Sequence, residues 1–302
     1  MSSVLETRTL SSGDSGVVLR WAPVLCGLLV MYVPTYIDLW QQFWHKEDNA
    51  HGPLIVAVVA WLIWREKHIL VEPASNTHPI VGGLLFAVSL LLYILGRSQE
   101  FFQPEAFSQI LLLLGIMLAV QGQRAFRALA FPICFLVFSV PLPGSLLDAV
   151  LLPLKQNVSM IVEQLLYWAG YPIARTGVVL SIGSYQLLIA DACSGLNSMI
   201  ALSSVGILFV YLVRSASWLH NLILLACILP IAFLANVLRV LTLVLVTYYF
   251  GDQAGHTFHD FAGYGEILFA FGAFFALDAV LSLIGRRWNS RALQRGQVAS
   301  PS

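Results

Sequence analysis

One cysteine in this chain differs from the other three in its neighbours. Asp191-Ala192-Cys193-Ser194-Gly195-Leu196-Asn197-Ser198 heads a long apolar run from Met199 to Val213. Small and polar residues come first and a helix of membrane length follows. That order puts Cys193 just before or at a helix N-terminus, with Ser194 available as the cap. Backbone N–H groups and the helix dipole at such a place favour a thiolate over a thiol. Cys26, Cys134 and Cys227 sit mid-run among aliphatic residues, where a thiol behaves as an inert small hydrophobe. A thiolate is a nucleophile for acyl transfer. That chemistry also wants a histidine to take a proton and return it to a leaving amine, and an untitratable cation to hold the oxyanion. Arg239 and the pair His256 and His259 are the residues of those types that the elements can bring to Cys193.

The elements that must position them are membrane helices. Of 302 residues, 58% are hydrophobic and 11% charged, against about 25% charged in an average soluble domain. The formal net charge is zero, which argues against a nucleic-acid partner. The cysteines have no metal-like spacing and two neighbouring histidines do not make a metal cage, so neither a metal nor a cofactor is expected. The reading is an all-α polytopic membrane protein, with the lipid bilayer as its surroundings. Runs long enough to span are 18–39, 51–66, 79–96, 106–121, 126–143, 195–213, 217–239 and 263–285, eight in all. Residues 1–17 read as a disordered cytoplasmic tail, 18–285 as the transmembrane domain and 286–302 as a basic cytoplasmic tail. The first run is followed by Tyr36-Ile37-Asp38-Leu39-Trp40, which is no signal-cleavage site. Ser145 to Gly170 carries Asp148, Pro153, Lys155 and Glu163 and suits an interfacial or re-entrant helix. Thr176 to Ala190, rich in β-branched residues around Gly183-Ser184, reads as a short hairpin. Trp40, Trp44, Trp61 and Trp64 read as interfacial anchors.

Charge sets the orientation. With the N-terminus in the cytoplasm and eight spans, that side holds eleven basic residues: Arg8, Arg20, Arg65, Lys67, Arg124, Arg127, Arg214, Arg286, Arg287, Arg291 and Arg295. The outer side holds five: Lys46, Arg97, Lys155, Arg175 and Arg239. The positive-inside rule favours this arrangement, which places Cys193 at the outer face. From Ser217 a helix of about 20 residues crosses the bilayer and reaches the same face near Asn236 and Arg239, which share a helix side. The apolar run continues to Phe250, so this helix is long, tilted or broken, and Pro230 is a candidate kink. Residues 251–263 then lead into the last span, so His256, His259 and Asp260 also lie at the outer face.

Three stretches together resemble a known family. Ala192-Cys193-Ser194-Gly195, Ala235-Asn236-Val237-Leu238-Arg239-Val240 and His259-Asp260-Phe261-Ala262-Gly263 are similar to the signatures of the exosortase/archaeosortase family. His51-Gly52-Pro53-Leu54 resembles an early segment of it, and the His-Asp-Phe-Ala-Gly form looks most like the exosortase B group. The resemblance covers about residues 20 to 285. It implies a cysteine peptidase or transpeptidase of the bacterial inner membrane, with its active site facing the periplasm. Its partners would be exported proteins whose C-terminus carries a Pro-Glu-Pro motif, a transmembrane helix and a basic tail, together with an amine acceptor of unknown identity. Such proteins often occur in species that make exopolysaccharide. By resemblance Cys193 is the nucleophile and Arg239 and His259 complete the triad, with His256, three residues earlier, as the other candidate histidine. Ser194 and Asn236 are supporting candidates. Asp191 and Asp260 either orient Arg239 and His259 or are solvated interface charges. Two other classes are a non-enzymatic component of exopolysaccharide export and a small-solute transporter. A transporter would place ionisable groups near the midplane, often with repeat symmetry; here they collect at one face.

Overall fold

Apolar runs in a bilayer have no water to satisfy their backbone, so they close their hydrogen bonds internally as helices. The computed structural model describes the backbone of residues 12–45, 49–188, 196–213 and 217–298. Side chains are described within those segments except at 12–20, 144–148, 150–151, 188, 196–198, 256, 259–260, 264 and 286–298. Among the described residues, five helices are long and apolar enough to cross a membrane: Trp21–Trp44, Pro79–Ser98, Phe102–Gln121, Trp218–Phe250 and Phe261–Gly285. His51–Arg65 and Met199–Val213 are shorter apolar helices. The chain is an all-α polytopic membrane protein, with one small sheet among the described residues, and it divides into two compact units, Met1–Leu142 and Pro143–Ser302.

The first unit contains α1 (Ser12–Leu39), α2 (His51–Arg65), α3 (His68–Val71), α4 (Pro79–Ser98), α5 (Phe102–Ile116) and α6 (Gln123–Phe135). Helix α1 runs on into a π-type turn, Trp40–Trp44, and α5 into another, Met117–Gln121. A polar seam joins α1 to α5 inside the apolar packing. Tyr32 OH and Ser108 Oγ are 2.7 Å apart, Thr35 Oγ1 donates to Glu105, and Tyr36 OH donates to Gln109 Oε1 at 2.8 Å. Arg97 closes the seam, 2.7 Å from Asp38 and 3.3 Å from Glu105. Trp44 departs from the anchor reading. It is buried, and its Nε1 donates to the Ser139 carbonyl at 3.2 Å, so it is a packing residue of this unit. Trp40, Trp61 and Trp64 are exposed, and Arg65 and Lys67 lie over the Trp61 and Trp64 rings.

Small residues let α4 and α5 touch backbone to backbone. A Cβ built on Gly82 would lie 2.7 Å from the Gly115 carbonyl oxygen and 2.8 Å from Ala119 N, whereas one on the adjacent Gly83 meets nothing within 4 Å. Gly82→Leu is therefore expected to cost about 1–3 kcal/mol through overpacking, and Gly83→Leu very little. Thermal unfolding of the two variants in detergent checks this, with a lowered midpoint expected for the first alone.

The second unit contains α7 (Gly144–Trp168), β1 (Ile173–Thr176), β2 (Val179–Ile182), β3 (Tyr185–Leu188), α8 (Leu196–Val213), α9 (Trp218–Phe250) and α10 (Asp252–Val298). The sheet is antiparallel in the order β1-β2-β3. Ile182 pairs with Tyr185 across the two-residue turn Gly183-Ser184, where the hairpin is expected from sequence. Gly183 has φ 58°, a conformation that hairpin turns of this length require and that glycine adopts without a steric cost. Strand β1 adds a third member before that hairpin. Alternation puts Leu180 and Ile182 fully inside. They join a core with Val158, Val162 and Leu166, one helical stripe of α7, and with Val240 and Val244 of α9. Arg175 of β1 pairs with Glu163 of α7 at 2.8 Å, so the charge that sets 145–170 apart from a plain span ties that helix to the sheet. Lower on α9, Leu224, Ile228, Ala232 and Ala235 form the inward stripe. Gly206 of α8 admits Phe274 of α10, since a Cβ there would lie 2.8 Å from the ring.

Candidate active site

Helix α9 decides where Arg239 stands. It is one helix of 33 residues that passes through Pro230 without a break. Arg239 lies 21 residues beyond Trp218, about 31 Å along the axis at 1.5 Å per residue. The helix continues for about 16 Å more, to Phe250, so the arginine is inside a continuous helix and not at its end. Gly251 then reverses the chain, with φ 87° and its N–H bonded to the Thr247 carbonyl at 3.0 Å, as expected of a glycine just past a helix C-terminus. Helix α10 begins at once with Asp252 in its first turn, where an acidic residue complements the helix dipole. Gly255 allows the close return: a Cβ there would lie 2.3 Å from Thr247 Oγ1. Residues 251–263, read from sequence as the approach to the last span, are therefore helical from Asp252 onward.

The hairpin of α9 and α10 brings a carboxylate to Arg239. Arg239 Nη1 donates to Glu266 Oε2 at 3.2 Å, and the two side chains are 7% and 0% exposed. A charge removed from water to this extent is costly unless it is paired, so the guanidinium is fixed by Glu266 and does not snorkel to a surface. Its Nε is buried and has no hydrogen-bond partner among the described residues. Asn236, one turn earlier on the same side, is fully buried. A second pair joins the same helices: His220 Nε2 lies 2.7 Å from Asp278 Oδ1. Neither Glu266 nor Asp278 is singled out by motif or spacing. The available signal is that each is an acidic residue inside an apolar span, which marks a paired or functional group by default.

The backbone of α10 separates the two histidines. Its buried series is Gly255, Ala262, Glu266, Ala270 and Phe274. Position 259 has the helical spacing of that series, four residues after Gly255, three before Ala262 and seven before Glu266. Positions 256 and 260 each follow a position of that spacing by one residue, about 100° round the helix. The side chains of His256, His259 and Asp260 lie outside the described residues, as do Asp191, Cys193 and Ser194 entirely. Helix α8 is described from Leu196, three residues after Cys193. Cys26 and Cys134 are exposed and Cys227 half-buried, all three as free thiols.

The geometry is that of a charge-bearing site inside a helical hairpin, with the histidine register and the arginine on facing helices. No curated protein and no solved structure matches the chain. The family model described as transmembrane exosortase matches residues 40–276, a stretch that takes in Cys193, Asn236, Arg239, His259 and Glu266. With most of its length matched, the chain belongs to the transmembrane exosortase family.

Proposed function

We propose that this exosortase is a membrane-embedded cysteine transpeptidase that acts through Cys193, Arg239 and His259. Its family processes sorting signals of exported proteins in the membrane. The observation that carries the finer reading is a guanidinium held by a buried carboxylate inside an apolar helix hairpin, with its Nε–H unengaged among the described residues. Arginine at such depth is expensive and is kept where it has work to do.

In the proposed reaction the Cys193 thiolate attacks the scissile carbonyl and its oxygen becomes an oxyanion facing Arg239. The tetrahedral intermediate collapses, the C–N bond breaks, and His259, which has taken the proton of the Cys193 thiol, gives it to the leaving amine. An incoming amine, or water, then attacks the thioester and releases Cys193. The substrates proposed are exported proteins with a C-terminal Pro-Glu-Pro motif, transmembrane helix and basic tail. The enzyme is placed in the bacterial inner membrane with this site toward the periplasm. Residues 1–17 and 286–302 are placed in the cytoplasm, and 18–285 form the enzyme. The basic asymmetry of the sequence supports that orientation. Asn236 is proposed to pack the helix hairpin beneath Arg239, and Ser194, Asp191 and Asp260 are proposed as supporting residues beside the thiol and the histidine in sequence. The test is processing in cells of a substrate bearing such a tail. Cys193→Ala is expected to leave the precursor uncleaved at normal enzyme abundance. Cleavage at the wild-type rate would favour a non-enzymatic component of export.

A further inference from the structure

We infer that Glu266 is a positioning residue, which acts on the reaction by fixing which edge of the Arg239 guanidinium is left for the substrate. The inference rests on the reading of Arg239 as the oxyanion donor. Arginine offers five N–H donors in a rigid planar fork. Glu266 engages one of them, on Nη1, at 3.2 Å. The Nε–H, on another part of the same plane, is buried and has no partner among the described residues. A buried donor without a partner costs free energy in the resting protein, and an oxyanion formed beside it would relieve that cost during reaction. Holding the plane at one end aims the other, and such preorganised donors are what make an oxyanion site effective.

The burial is asymmetric in the sense this role needs. Glu266 is wholly enclosed at 0% side-chain exposure while Arg239 retains 7%, so of the two groups it is the guanidinium that keeps an accessible part. Contacts between α9 and α10 flank the pair. Gly255 packs against Thr247 on one side of it along the hairpin, and His220 pairs with Asp278 on the other. Position 259 lies seven residues before Glu266 on α10, two helical turns away, so the register puts the proposed base and the residue that orients the arginine on one side of one helix. Loss of the Glu266 charge would leave the fork free to rotate about its long side chain, without removing the guanidinium itself.

The experiment uses the full-length enzyme in detergent, with Cys26, Cys134 and Cys227 changed to serine so that alkylation titrates Cys193 alone. Cleavage of a tail-bearing substrate is then expressed per titratable thiol. Glu266→Gln keeps the shape and a hydrogen-bond acceptor but removes the charge. It is expected to retain the wild-type number of titratable thiols, to lose roughly thirty- to a hundred-fold in kcat per thiol, and to keep KM within about threefold, because an interaction used only in the transition state is removed. Glu266→Asp is expected to recover part of that loss, and it carries the test if Glu266→Gln does not accumulate. A variant with fewer thiols but an unchanged rate per thiol would make Glu266 a folding residue only and overturn the inference. An unchanged rate in Glu266→Gln would overturn it too. Unchanged cleavage by Arg239→Ala in the same assay would instead refute the reading of Arg239 on which the inference rests.

Discussion

Lysine in place of Arg239 is expected to lower processing by about a hundred- to a thousand-fold while the protein accumulates normally. Losing one oxyanion donor typically raises a barrier by about 2.7–4 kcal/mol. Lysine keeps the positive charge and can still reach Glu266, so the buried carboxylate retains a counter-ion and the fold is spared the larger penalty of an unpaired charge. What it lacks is the planar fork. An ammonium is a compact point charge on a flexible stem; seated on Glu266, it cannot also present a rigid donor to the substrate as Nε of Arg239 can. Cleavage of a tail-bearing substrate at matched membrane abundance is the measurement. Near-wild-type processing would reduce Arg239 to a charge that pairs two helices.

His259→Ala is expected to abolish processing, and His256→Ala to reduce it by less. The base must come within about 3 Å of the thiol or of the leaving amine, so its place around the helix decides. By helical spacing position 259 shares the register of Gly255, Ala262 and Glu266, which are buried, and position 256 follows Gly255 by one residue, about 100° round the helix. Adding imidazole to His259→Ala offers a second reading, since a small base can enter the space left by the side chain and restore part of the rate. A dead His256→Ala beside an active His259→Ala would move the base to His256 and leave the roles of Cys193 and Arg239 standing.

Much of the framework is legible in the sequence because hydrophobic runs of spanning length report directly on helices in a bilayer. The runs 79–96 and 263–285 lie within the spanning helices Pro79–Ser98 and Phe261–Gly285. Gly183-Ser184 marks its turn because few residues tolerate that backbone. Less legible is how far a helix continues. The run 217–239 ends, as a span, at the first charge, yet α9 carries Arg239 and goes on to Phe250 because Glu266 neutralises it and the helix beyond packs on Leu180 and Ile182. Residues 251–263 hold three glycines and little apolar periodicity, so their helix from Asp252 onward is not marked in the sequence; Gly255 lets that helix pass close to Thr247. Glu266 is hidden for a related reason. The sequence reading considers carboxylates beside the motifs, Asp191 and Asp260, whereas the arginine's partner stands 27 residues away, and only the register of two antiparallel helices brings it near. Trp44 has the composition of an interfacial anchor and is a buried packing residue, since its indole N–H finds a carbonyl within its own unit.

The central claim, that Cys193 carries the acyl group, is tested most directly by trapping the enzyme with substrate and measuring the mass of its peptides. The account predicts an adduct on Cys193 equal to the N-terminal portion of the cleaved substrate, released by neutral hydroxylamine as a thioester must be and accumulating in His259→Ala if acylation survives there. An adduct on another residue, or turnover of substrate by Cys193→Ala, would contradict it.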